Sequence, residues 1–160
     1  MEKPVIDAKG SCHCGAVRFR IQGEMMLSAY CHCRNCTASK GASPVHLLAI
    51  SGADSFQVED GSGETATRAS GRMRFTTCAT CHGPVVQHPD GAPFRVVFPI
   101  NLELGRGEAG EDHGADRIPD EWAPQMHLNY ENRLFDWSDG LPKFKVFVGG
   151  DELAEDGHAK

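Results

Sequence analysis

Residues 10–21 read GSCHCGAVRFRI, and the reading of this stretch decides the fold. Two cysteines one residue apart, Cys12 and Cys14, sit in a glycine-flanked turn. Directly after them Val17, Phe19 and Ile21 alternate with Arg18 and Arg20. A period of two with the apolar residues on one face is a half-buried strand. A CxC turn leading into such a strand offers two thiolates to one ion from a fixed place in a sheet. The coupling of cysteines to short strands recurs further along. Residues 30–41, YCHCRNCTASKG, carry Cys31, Cys33 and Cys36, and residues 72–86, RMRFTTCATCHGPVV, carry Cys78 and Cys81 between apolar runs.

The rest of the chain has the same texture. Residues 45–50 form a short apolar run, and residues 55–58, 72–75, 84–87 and 94–100 fit further strands separated by Gly, Pro, Asp and Ser. Residues 127–130 and 143–148 are weaker candidates. No segment sustains a 3.6-residue period, so helix is confined to a short turn after Cys33 that runs through Thr37 and Lys40 and stops at Gly41. The expectation is a mainly β protein: small antiparallel sheets of short strands, clipped by zinc, in one domain over residues 1–160. Residues 105–116, GRGEAGEDHGAD, are polar, Gly-rich and mostly acidic and read as a solvated, flexible surface loop, so that His113 within it is an unengaged loop histidine. The polar residues 149–160 read as a frayed tail.

Composition excludes several functional classes. The chain of 160 residues is 40% hydrophobic, enough for a core. It has no apolar run approaching the ~20 residues of a membrane-spanning helix. Its start, MEKPVIDAKGSCHCG, lacks the basic and apolar regions of a signal peptide, so the expected location is the cytoplasm. The net charge is -6, with Lys and Arg scattered, which argues against a nucleic-acid partner and for a small polar metabolite.

Seven cysteines cannot all pair, and closely spaced cysteines without an export signal bind metal more often than one another. Zinc takes soft thiolates tetrahedrally at about 2.3 Å. Two pairs from distant parts of the sequence, Cys12 with Cys14 and Cys78 with Cys81, complete a closed site. The trio Cys31, Cys33 and Cys36 leaves a fourth position for water or an exogenous thiol, which is the mark of a working zinc. Spacing alone also admits a second structural site in which His32, His46 or His82 joins the trio. His13 and His32 lie between ligands, and their rings are expected to point away from the metal.

These runs resemble the glutathione-dependent formaldehyde-activating enzyme family, known for its β-tent fold. Residues 10–21 are similar to its opening motif, residues 30–41 to its central CxCxxC motif, and residues 72–86 to its CxxC motif. Residues 124–144, PQMHLNYENRLFDWSDGLPKF, are similar to its C-terminal segment with Pro, His, Trp, Asp and Leu-Pro-x-Phe. The resemblance implies a structural zinc on Cys12, Cys14, Cys78 and Cys81, and a second zinc on Cys31, Cys33 and Cys36 with glutathione or water as exchangeable partner. There are departures. Thr77 stands before Cys78 where the family often has an aromatic residue, and His82 separates Cys81 from Gly83. The implied activity is that of a zinc-dependent carbon–sulfur lyase of the S-(hydroxymethyl)glutathione synthase type, with Cys31, Cys33 and Cys36 at the working zinc. It would add the thiol of glutathione to formaldehyde or another small aldehyde.

Two other readings stand beside the enzyme: a non-catalytic carrier of glutathione, another thiol or zinc, and a structural zinc scaffold for a protein partner. Arg18, Arg20, Arg34 and Lys40 lie near the motifs and are expected on solvated faces, with pairing to glutathione's carboxylates as the functional alternative. His127 is expected to be a core histidine bonded to backbone, and Trp122, Trp137 and Phe144 to be core residues.

Overall fold

A computed structural model describes residues 2–103 and 117–160; the Gly-rich segment and His113 lie outside these. The chain forms β1 (Val5–Ser11), β2 (Arg18–Cys31), a helix α1 (Arg34–Lys40), β3 (Val45–Ser51), β4 (Phe56–Val58), β5 (Thr65–Ser70), β6 (Met73–Cys78), β7 (Pro84–Pro89), β8 (Phe94–Val97), β9 (His127–Leu128), β10 (Lys143–Phe144) and β11 (Glu152–Leu153). The mainly β expectation holds. Among the described residues no helix is long and apolar enough to cross a membrane.

The residues fall into two compact units, Met1–Leu27 with Leu48–Trp122, and Ser28–Leu47 with Ala123–Lys160, so β2 and β3 each contribute to both. In the first unit β2 pairs antiparallel with β1 and β4. A second antiparallel ladder runs β3, β8, β7, β6, β5. Alternation does what the sequence implies: Val17, Phe19 and Ile21 are fully buried, while Arg18 and Arg20 are exposed. They pack with Ile6, Leu48, Ile50, Val85 and Val97 into one core that also takes in Trp122. Gly10 faces Phe19 across the ladder, and a Cβ there would stand 2.5 Å from the Phe19 ring and 2.6 Å from the Asn101 carbonyl. Only glycine fits at that contact.

One boundary and one strand depart from the sequence reading for identifiable reasons. The strand expected over 94–100 stops at Val97, because Pro99 has no N–H to give a ladder and opens a 3₁₀ turn, Pro99–Asn101. β5, TATRAS, is exposed along nearly its whole length and has no apolar face to betray it.

In the second unit the sheet changes character. β9 pairs parallel with the end of β2, Tyr30 opposite His127 and Cys31 opposite Leu128. β10 then pairs parallel with β9 and antiparallel with β11. The weaker strand candidates are thus two residues each; β9 is cut short by Asn129, which adopts the left-handed conformation. Residues 149–160, expected to fray, carry β11: Leu153 is buried, and the Tyr130 hydroxyl donates to the Glu155 carbonyl at 2.6 Å.

Candidate metal centres

Four thiols converge in the first unit. β1 runs into a turn in which Cys12 N–H donates to the Val17 carbonyl and Gly15 N–H to the Cys12 carbonyl. The turn after β6 is built alike: His82 N–H donates to the Cys78 carbonyl and Cys78 N–H to the Gly83 carbonyl. Closing it puts His82, a non-glycine residue, at φ 61°. Cys12, Cys14, Cys78 and Cys81 bring their sulfurs within 4.8 Å of one another. Cys12 and Cys14 sulfurs are 3.6 Å apart, and Cys14 and Cys78 sulfurs 3.9 Å. A tetrahedral ion with bonds of about 2.3 Å requires a sulfur separation of about 3.8 Å, so the donors fit zinc. Backbone N–H groups of Val17, Thr80 and Gly83 point at the sulfurs of Cys12, Cys78 and Cys81 at 3.3, 3.3 and 3.4 Å. Such donors favour the thiolate: backbone N–H groups, that of Cys81 foremost, hold the Cys78 thiol down at about 6, while burial pushes Cys12 up to about 11.

Three thiols converge in the second unit. Cys31 ends β2, and Cys33 caps α1, its sulfur accepting from Cys36 N–H at 3.3 Å. Thr37 donates both its N–H and its hydroxyl to the Cys33 carbonyl, each at 3.0 Å. Gly41, at φ 62°, ends the helix by donating its N–H to the Thr37 carbonyl, as its position predicts. One tight turn therefore presents Cys31, Cys33 and Cys36 to a common point, their sulfurs within 4.8 Å of one another. No histidine or carboxylate joins either cluster among the described residues. The alternatives in which His32, His46 or His82 completes the trio are not what the structure brings together. Hydrogen bonds from the neighbouring thiols of Cys31 and Cys36 lower the Cys33 thiol strongly, and the same contacts raise Cys31.

Next to the trio lies a polar chain, buried at His32, His127 and Lys143, that sequence reasoning missed. His32 Nε2 is 2.8 Å from His127 Nδ1, and His127 Nε2 is 2.7 Å from Asp139 Oδ2. Lys143 Nζ, only 2% exposed, donates to Asp139 Oδ1 at 2.7 Å and to the Leu141 carbonyl at 2.9 Å. Burial drives both histidines toward the neutral form, His32 to about 4. The tautomers then follow in sequence. Burial opposes ionisation of Asp139, but the Lys143 and His127 bonds outweigh it and hold the carboxyl at about 2. An ionised carboxylate only accepts, so His127 Nε2 carries its proton. His127 Nδ1 is left as the acceptor, and His32 Nε2 is the donor. His32 Nδ1 is a buried acceptor with no hydrogen-bond partner among the described residues.

His127 is thus fully buried as expected, but it bonds side chains rather than backbone. Trp137 is not core; half-buried, it lies 5.7 Å from both Tyr30 and His127 and stacks on Phe135 at 5.4 Å. Phe144 is half-buried and Trp122 buried. Arg18 pairs with Glu59, and Arg20 forks onto Asp7 at 2.9 and 2.8 Å, the solvated strand-face roles. Arg34 is exposed in the first turn of α1, between Cys33 and Cys36, and Lys40 stands at its end.

Comparison with known proteins bears on the two clusters. The family model described as glutathione-dependent formaldehyde-activating enzyme matches residues 7–132, a stretch that contains all seven cysteines. A Rhodobacter sphaeroides protein of known crystal structure is similar at 22% identity and a TM-score of 0.48, over 59% of this chain and 87% of that one. No curated protein matches the chain significantly.

Proposed function

Since the chain belongs to the glutathione-dependent formaldehyde-activating enzyme family, we propose that it is a zinc-dependent carbon–sulfur lyase that joins glutathione to formaldehyde or a related small aldehyde at Cys31, Cys33 and Cys36. The observation that carries this reading is the inequality of the two clusters. One offers four thiols and closes a tetrahedron; the other offers three, with no fourth protein ligand among the described residues. The four-cysteine group is then structural and the three-cysteine group the working one. When bound there, zinc supplies a Lewis acid with an exchangeable position, favouring the thiolate of an added thiol and polarising a carbonyl.

The chain's own residues do the rest. Cys33 and Cys36, held in one helical turn, and Cys31, held by its pairing to Leu128, fix three corners of the site. Arg34, exposed between two of the cysteines, and Lys40 are the cations placed to take glutathione's carboxylates. Tyr30 and Trp137 give an aromatic wall beside His127. In the overall reaction the glutathione sulfur forms a bond to the aldehyde carbon, the carbonyl π bond breaks, and the thiol proton ends on the carbonyl oxygen. No oxidant or reductant is consumed. We place the reaction in the cytoplasm, where thiols stay reduced.

Thiol addition to formaldehyde proceeds unaided in water, so the test is a rate. Zinc-loaded protein should accelerate S-hydroxymethylglutathione formation above the uncatalysed addition, and Cys33→Ser should abolish the acceleration while leaving the fold. Binding of glutathione with no gain in rate would instead make the protein a thiol carrier.

A further inference from the structure

We propose that Asn129 is a positioning residue for the three-cysteine group: its side-chain amide orients the Cys31 sulfur and stabilises its thiolate, which holds the ion on three sulfurs and leaves a fourth position for an incoming thiol. This rests on the reading that the group holds an exchangeable zinc.

The Asn129 Nδ2 donates to Cys31 Sγ at 3.6 Å. The contact follows from the register, because β9 pairs Leu128 with Cys31 and so delivers the next residue beside that sulfur. The backbone of Asn129 is fully committed elsewhere. Its N–H donates to the Val146 carbonyl at 2.8 Å, and its carbonyl accepts from Asn132 N–H at 3.0 Å. The residue sits at φ 54°, ψ 38°, a conformation glycine adopts without strain. Asparagine tolerates it at some cost and adds what glycine lacks, an amide.

Cys31 is treated differently from the other sulfurs. Those of Cys12, Cys78 and Cys81, and of Cys33 in its own group, take backbone N–H donors from the turns that carry them. Cys31 is 4% exposed, so water does little to solvate its thiolate, and the donor reaching it is a side chain just after β9, at a sequence separation of 98. A hydrogen bond to a thiolate draws charge off the sulfur. In a group of three thiolates it also lowers their mutual repulsion. Partners of this kind orient metal ligands, and their loss typically costs about 10- to 100-fold in metal affinity.

The test uses full-length protein loaded with cobalt at both groups and titrated with a chelator. Wild type should release metal in two steps, the weaker assigned to the three-cysteine group by its absence in Cys33→Ser. Asn129→Gly keeps the left-handed backbone and removes the amide. It should weaken that step about 10- to 100-fold and move its thiolate-to-cobalt band to longer wavelength, with the stronger step unmoved. Asn129→Asp, which keeps the shape and loses the donor, should shift the same step. An unchanged weaker step in Asn129→Gly overturns the proposal. So does a shift in Asn129→Gly with none in Asn129→Asp, since backbone freedom rather than the amide would then be responsible. A wild-type protein with no weaker step overturns the reading of the three-cysteine group itself, and this inference with it.

Discussion

The two cysteine clusters solve opposite problems. The four-cysteine group joins turns far apart in sequence: the touching pair Cys14 and Cys78 are separated by 64 residues. An ion held there is a cross-link, and its binding free energy is folding free energy for the first unit. The three-cysteine group draws its ligands from within six consecutive residues, so an ion there cross-links almost nothing. What fixes that group is protein: the parallel pairing of β9 to Cys31, the cap of α1, and the polar chain from His32 to Lys143. A metal that holds a fold needs all its ligands from the protein, whereas one that exchanges ligands must sit where the fold does not need it.

The sharpest way to break this contrast is to remove one sulfur from each cluster. Cys12→Ser or Cys78→Ser should forfeit a zinc worth on the order of 10 kcal/mol, abolishing cooperative unfolding of the first unit by circular dichroism and calorimetry. Cys33→Ser should leave a folded protein with one zinc, destabilised by no more than about 2 kcal/mol. Equal damage from both would end the distinction. Next in size is the pair of the buried Lys143 and the partly exposed Asp139. Lys143→Met removes a charged hydrogen-bond donor from Asp139 and should cost about 1.5 to 3 kcal/mol, read as lost amide-exchange protection in the second unit, with the four-cysteine cobalt spectrum unchanged.

Acid should separate the units further. The Asp139 carboxyl sits at about 2 in the folded chain against 3.8 for the free group. Its stabilisation is therefore present above about pH 4 and lost as pH falls toward 2, because the unfolded chain binds the proton first. Trp137 fluorescence in metal-free Trp122→Phe protein should report this acid limb, and Asp139→Asn should flatten it. The smallest effect belongs to Gly41→Ala. A Cβ at Gly41 meets nothing within 4 Å, so the cost is only that of alanine at φ 62°, about 1 kcal/mol, expected as a few degrees in the melting of the second unit.

These regions also differ in how far they can be read from sequence. The cysteine runs are legible because thiolate spacing is local: CxC, CxCxxC and CxxC are turns, and a turn's geometry lies within its own residues, whereas which runs share an ion comes from the family resemblance. The strands holding Val17, Phe19 and Ile21 are legible because alternation marks a buried face. The environment of the trio is not. Asn129, Asp139 and Lys143 reach it through parallel pairing of two-residue strands, which no local period announces. Lys143 even reads as the polar break in an apolar run, yet it is among the most deeply buried side chains. His127 shows the same limit: its burial can be expected from its neighbours, its partners cannot.

Tyr130 carries a practical consequence. Its hydroxyl gives its proton to the Glu155 carbonyl at 2.6 Å and accepts the N–H of Trp137 at 2.8 Å. The last turn of the chain and the aromatic wall beside His127 thus hang from one oxygen atom. A change at Tyr130 therefore frees both at once: Tyr130→Phe should loosen Glu155 and Trp137 together.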